Sequence, residues 1–146
     1  MPTPTRCIGI LTSGGDCPGL NAVIRAAART AERLGYGCVG FLRGYEGLVD
    51  PVSYVPLHAG NTAGILTRGG TILGSTNKGR FSATVGEDQR VSIDPALLDQ
   101  VEATVRQLSL CGLICAGGDG SLAIAQQFHE RGIPVVGVPK TIDNDP

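Results

Sequence analysis

The chain has 146 residues, a formal net charge of −1, 42% hydrophobic residues and 22 glycines. That length suits one domain with a real core, in which roughly 68–70% of the unfolded-chain surface becomes buried. The near-zero charge excludes an electrostatic footprint for nucleic acid or an anionic membrane, and no apolar run reaches transmembrane length.

The opening residues Met1–Arg6 are polar, and the apolar run after them is broken by Thr12, Ser13 and two glycines. This is no signal peptide, and a cytoplasmic location is expected. Cys7–Leu11 reads as a buried strand closed by the turn Thr12–Asp16. Leu20, Ile24, Ala27, Ala28, Ala31 and Leu34 then recur at helical spacing from a start at Asn21, with Gly35 as the stop. Cys38–Leu42 is a second strand, and Arg43–Phe81 has no regular pattern. Asp94 and Pro95 predict an N-cap and a first-turn proline for a helix whose stripe is Leu97, Leu98, Val101, Val105 and Leu108. Leu113–Ala116 predicts a strand, Ser121–Arg131 a helix and Pro134–Val138 a last strand. Fully apolar strands alternating with helices predict an α/β fold, a doubly wound, mostly parallel Rossmann-like sheet.

The five cysteines are odd in number and form no C-x-x-C, which indicates neither a disulfide framework nor a zinc knuckle. Cys7, Cys38, Cys111 and Cys115 are expected as reduced core residues. Cys17, in a glycine-rich loop, reads better as a small space-filler than as a reactive thiol. His58 and His129 have no partner at metal or triad spacing and are expected at the surface or in loops.

Three strands are followed by loops that carry glycine and acid: Thr12–Asp16, Gly117–Ser121 and Pro139–Asp145. Loops after parallel strands share one sheet edge and can converge on one ligand. In the middle loop, glycines allow close backbone approach, and the next helix offers free N–H groups to an anion. Asp119 would repel a bare phosphate but suits a divalent cation lying between them, since magnesium takes one or two carboxylates plus phosphate oxygens. A tight turn in which Asp119 or Ser121 caps the helix explains the same residues. Gly118-x-Gly120-x-x-Ala123 also matches a dinucleotide fingerprint, but Val138-Pro139-Lys140 stands where a ribose-binding acid belongs. In the last loop Asp143 is a candidate general base, Asp145 a neighbouring carboxylate, Thr141 a hydroxyl and Lys140 a charge for phosphate; a solvated Asx turn is the alternative. The first loop, around Gly14 and Gly15, offers amides to a phosphate or serves only as a turn.

The motifs Thr12-Ser-Gly-Gly-Asp-x-Pro-Gly-x-Asn21, Gly44-Tyr-x-Gly-Leu48, Arg68-Gly-Gly-Thr71, Gly117-Gly-Asp-Gly-Ser121 and Pro139-x-Thr-Ile-Asp-Asn-Asp145 resemble the phosphofructokinase family, in its order, from Cys7 to the last residue. The resemblance implies an enzyme that moves a phosphoryl group from ATP, with Mg2+, to the 1-hydroxyl of fructose 6-phosphate. It implies Asp143 as catalytic base, Asp119 as magnesium ligand, Gly15 and Gly118–Ser121 (with Gly120) as nucleotide contacts, and Thr141, Ile142, Asp143 and Asp145 as sugar-phosphate contacts. Gly120 and Lys140 bear on the donor. Glycine at 120 resembles ATP users, lysine at 140 resembles pyrophosphate users, and the pair resembles a mixed group that is generally ATP-dependent. ATP is expected and a pyrophosphate-dependent enzyme is the alternative. Where many members carry an arginine, this chain has Asn77 followed by Lys78, so Lys78 or Arg80 is expected to supply the charge. Arg25 and Arg29 match effector-site arginines, although the later effector arginine has no counterpart here. Family chains are much longer, so residues 1–146 are expected to be an N-terminal nucleotide-binding domain of a homo-oligomer, a dimer or tetramer, with further sugar-gripping residues downstream. A dinucleotide-binding oxidoreductase domain and a non-catalytic nucleotide sensor are the readings from other classes.

Overall fold

Four apolar runs set the sheet. The computed structural model describes residues 6–14, 19–65, 71–74, 80–81, 84–85 and 91–139. Strands β1 (Cys7–Thr12), β2 (Gly37–Phe41), β6 (Leu110–Gly117) and β7 (Val135–Pro139) run parallel, and the short β3 (Tyr54–Pro56) lies antiparallel on the outer edge of β2. The order across the sheet is β3-β2-β1-β6-β7. Two-residue strands β4 (Thr84–Val85) and β5 (Val91–Ser92) pair separately.

The helices are α1 (Leu20–Arg33), α2 (Ala59–Thr62), α3 (Pro95–Gln107) and α4 (Asp119–Glu130). They cover both faces. Ile10 of β1 joins Ile24, Ala28 and Ala31 of α1 on one side. Leu11, Leu113 and Cys115 join Val101 of α3 and Phe128 of α4 on the other. Alternate residues of a strand feed opposite faces, so both clusters can draw on β1 at consecutive positions. The expected doubly wound sheet is what forms, with one antiparallel edge strand that the sequence pattern does not announce.

The helix boundaries follow local chemistry. Asp94 accepts the Ala96 N–H at 3.0 Å and Pro95 opens α3, as the sequence predicts. Within the expected stripe of α3, Val105 and Leu108 are only partly buried, whereas Thr104 is buried and donates its hydroxyl to the Leu48 carbonyl at 2.6 Å. Leu34, expected on the apolar face of α1, is instead 63% exposed, because the helix ends at Arg33 and Gly35 turns the chain at a φ of 78°. Asn21 takes a buried place in the first turn instead.

The pairing of β1 with β6 shifts between Cys7 and Ile8, so Cys111 is an extra residue on β6. This corrects the expectation of four core cysteines: Cys38 and Cys115 are buried, Cys7 is half-buried, and the bulged Cys111 is exposed. β7 ends the order with Val136 61% exposed. His58 caps α2 by accepting the Asn61 N–H, and His129 is exposed. No helix among the described residues is long and apolar enough to cross a membrane.

Candidate functional site at the switch point of the sheet

From β1 the chain crosses through α1 to β2 on one side; from β6 it crosses through α4 to β7 on the other. The carboxyl ends of β1 and β6 therefore flank the point where the winding reverses, the place where open α/β sheets bind ligands. The Ser13 N–H donates to the Ala116 carbonyl at 2.9 Å, which carries the β1–β6 ladder past Thr12 into the loop.

On the β6 side the turn is as tight as a backbone allows. A Cβ on Gly117 would lie 2.5 Å from Ser121 Cβ and 2.9 Å from the Ser13 carbonyl oxygen, so a side chain there would strike both walls. Gly118 is the N-cap of α4 and no side chain caps the helix. Neither Asp119 nor Ser121 plays the capping part that the sequence leaves open to them, and α4 starts two residues earlier than expected. Its first N–H groups are left to a ligand or water. Asp119 and Gly120 are exposed, while Ser121 is 8% exposed beneath Gly117. Around a Cβ on Gly120 nothing lies within 4 Å.

On the β1 side, hydroxyls and amides tie a second segment to the same edge. The fully buried Thr12 hydroxyl meets the Thr71 hydroxyl at 2.8 Å and donates to the Gly74 carbonyl at 3.1 Å. The Asn21 side-chain oxygen accepts the Ile72 N–H at 2.8 Å, and the Arg43 N–H donates to the Leu73 carbonyl at 3.0 Å. Arg43 and Gly44 are both left-handed, at φ 60° and 64°, which bends the chain sharply after β2. The bend brings Gly44 to where a Cβ would sit 3.1 Å from the Thr12 carbonyl oxygen. The 3-10 turn Gly44–Leu48 follows; its Tyr45 hydroxyl donates to the Ser121 carbonyl at 2.7 Å, and Glu46 accepts the Arg80 N–H at 3.0 Å and Nε at 3.2 Å.

Burial governs the ionisable groups beneath the crevice. It pushes the Cys115 thiol from 9.0 up to about 12, against a smaller lowering from the Tyr45 hydroxyl, and raises the Tyr45 phenol further. Both stay protonated at neutral pH.

Gly118, Asp119, Gly120 and Ser121 thus come together at the switch point. Gly15, Asn77, Lys78, Lys140, Thr141, Ile142, Asp143 and Asp145 lie outside the described residues, as does Cys17. Thr12, Asn21 and Tyr45 stand in the sequence motifs without a side-chain role assigned to them. Thr12 carried a signal, since a hydroxyl closing a fully apolar strand must find partners when buried. For a cation, the described residues hold no cluster of three His, Cys, Asp or Glu side chains. A lone exposed carboxylate beside free helix amides fits magnesium completed by phosphate oxygens and water, and does not fit an all-protein cage.

An open, doubly wound sheet with a glycine- and acid-bearing turn at its switch point defines a broad class of ligand-binding α/β proteins. Residues 7–146 match the sequence profile of the phosphofructokinases, and the chain belongs to that family. It is 46% identical over 145 residues to the ATP-dependent 6-phosphofructokinase of Chloroflexus aggregans, covering 99% of this chain and 40% of that protein. The Aquifex aeolicus protein of the same name is 45% identical over 142 residues, covering 94% of this chain and 40% of that one. The chain therefore spans about two-fifths of the length of the curated relatives it matches. Among solved structures, phosphofructokinase from Saccharomyces cerevisiae superposes with a TM-score of 0.80 at 26% identity, over 95% of this chain and 20% of that one. A pyrophosphate-dependent phosphofructokinase from Marinobacter aquaeolei shares the fold at a TM-score of 0.71 and 18% identity, over 95% of this chain and 34% of that one. Family membership sets aside the oxidoreductase reading of Gly118-x-Gly120-x-x-Ala123.

Proposed function

We propose that residues 1–146 form the nucleotide-side domain of an ATP-dependent 6-phosphofructokinase, which moves the γ-phosphoryl group of ATP to the 1-hydroxyl of fructose 6-phosphate. The observation that carries the reading is the uncapped first turn of α4 at the switch point, with Asp119 and Gly120 open to a ligand. The ATP-dependent relatives at 46% identity support the choice of donor.

In this reading the free N–H groups of α4 and Gly15 receive the phosphates of ATP, with Asn77 and Lys78 as further nucleotide contacts. Asp119 would hold Mg2+, which would supply charge neutralisation on the phosphates. Thr141, Ile142 and Asp145 hold the sugar phosphate. Asp143 takes the proton of the 1-hydroxyl as its oxygen bonds to the γ-phosphorus, the bridging P–O bond to the β-phosphate breaks, and ADP leaves. What supports placing the two sets of contacts in one site is that β7 runs parallel beside β6 with Pro139 paired to Gly117, so both strands end on the same sheet edge. The full-length protein works in the cytoplasm as a homo-oligomer.

The test is a coupled assay of the full-length gene product with fructose 6-phosphate and either ATP or pyrophosphate. ATP-dependent turnover is expected, with Asp143→Asn lowering kcat by about 10²–10⁴. Turnover with pyrophosphate alone would overturn the donor, and none with either would overturn the function.

A further inference from the structure

Tyr45 is 2% exposed and lies far in sequence from α4, yet its hydroxyl reaches the first turn of that helix. Its ring stands edge-on to Phe128 at 5.4 Å and tilted against Phe81 at 5.6 Å. Phe81 follows Arg80, which Glu46 grips through both N–H and Nε. One 3-10 turn therefore holds both the first turn of α4, which carries Asp119 and Gly120, and the chain at Arg80 and Phe81.

We propose that Tyr45 is a positioning residue that sets the rotation of the first turn of α4, and with it the direction of the N–H groups and of Asp119 toward the nucleotide phosphates. The inference rests on the reading of Asp119–Ser121 as nucleotide contacts. A carbonyl in the first turn of a helix moves with the free N–H groups of that turn, so a buried donor fixed on it limits how the turn can rotate or fray. A packing role alone would leave the hydroxyl idle, because phenylalanine fills the same aromatic cluster. Burial, and after it Cys115, raises the phenol well above its ordinary value, so it remains a donor throughout the physiological range.

The full-length Tyr45→Phe variant separates ring from hydroxyl. Three quantities are read: equilibrium binding of magnesium-ATP by calorimetry, KM for fructose 6-phosphate, and amide hydrogen exchange across residues 117–125. Loss of one buried bond predicts a nucleotide Kd about five- to tenfold higher and exchange in the first turn of α4 faster by a similar factor. The sugar-phosphate KM and exchange elsewhere stay as in the parent. Unchanged nucleotide binding and exchange would overturn the proposal. So would a uniform rise in exchange across the molecule with both ligands weakened equally, the signature of a merely structural tyrosine. If the parent protein binds no magnesium-ATP, the proposed function fails, and local exchange in Tyr45→Phe still decides whether the hydroxyl holds the turn.

Discussion

Gly117 and Ser121 stand so close that a Cβ on the glycine would lie 2.5 Å from Ser121 Cβ and 2.6 Å from its Oγ. The contact closes the turn between β6 and α4 and presses the helix start against the loop after β1. Gly117→Ala should destabilise the protein by about 1–3 kcal/mol, the usual cost of overpacking. Adding Ser121→Gly should restore only part of this, because the Ser13 carbonyl oxygen remains 2.9 Å from the new methyl. Urea midpoints of the single and double variants check both statements.

Gly120 differs from Gly117 in having open space around it. Gly120→Asp should therefore leave the thermal midpoint within a few degrees of the parent. In the full-length protein it should lower kcat/KM for ATP by about tenfold or more, because the added carboxylate repels the nucleotide phosphates rather than the protein. Steady-state kinetics beside a melting curve separate the two effects, and unaltered ATP kinetics would refute the repulsion argument.

Thr12 has no exposed surface and is held by two hydrogen bonds. Thr12→Val keeps the shape and leaves the Thr71 hydroxyl and the Gly74 carbonyl without it. About 1–3 kcal/mol of stability should be lost in denaturant titration, and Thr12→Ser should lose less.

Cys38 and Cys115 both have thiols raised from 9.0 to about 12 by burial. The folded state keeps protons that the unfolded chain releases above pH 9. Their contribution to stability is therefore complete below pH 9 and falls as pH climbs toward 12, by about 1.4 kcal/mol per unit for each thiol. Urea midpoints between pH 8 and 11 should show this decline. Cys115→Ala should make it shallower, and an unchanged slope would contradict the assignment.

The parts legible in the sequence were those with a strong period or a sharp stop. The apolar runs of β1, β6 and β7 and the capped start of α3 lie within a few residues of their expected places. Residues 43–65 were opaque for physical reasons. β3 has only three residues, two of them exposed, and is held by β2 rather than by its own pattern. α2 is four residues closed by a His58–Asn61 box. The 3-10 turn depends on two consecutive left-handed residues, one of them an arginine, which composition does not announce. At the site, Asp119 and Gly120 were visible because a glycine–acid turn directly after an apolar run suits a ligand, although the same residues suit a capped turn equally well. Tyr45 was not, because its hydroxyl finds its acceptor 76 positions away.

The bulge at Cys111 has a consequence at the other end of the strand. Leu110 and Leu113 belong to the same cluster although an odd number of positions separates them. The extra residue inverts the parity of β6 below Gly112 and leaves it untouched above. An insertion or deletion at the base of the strand is therefore absorbed there, and the stretch from Leu113 to Gly117 keeps its facing and delivers Asp119 to the same spot.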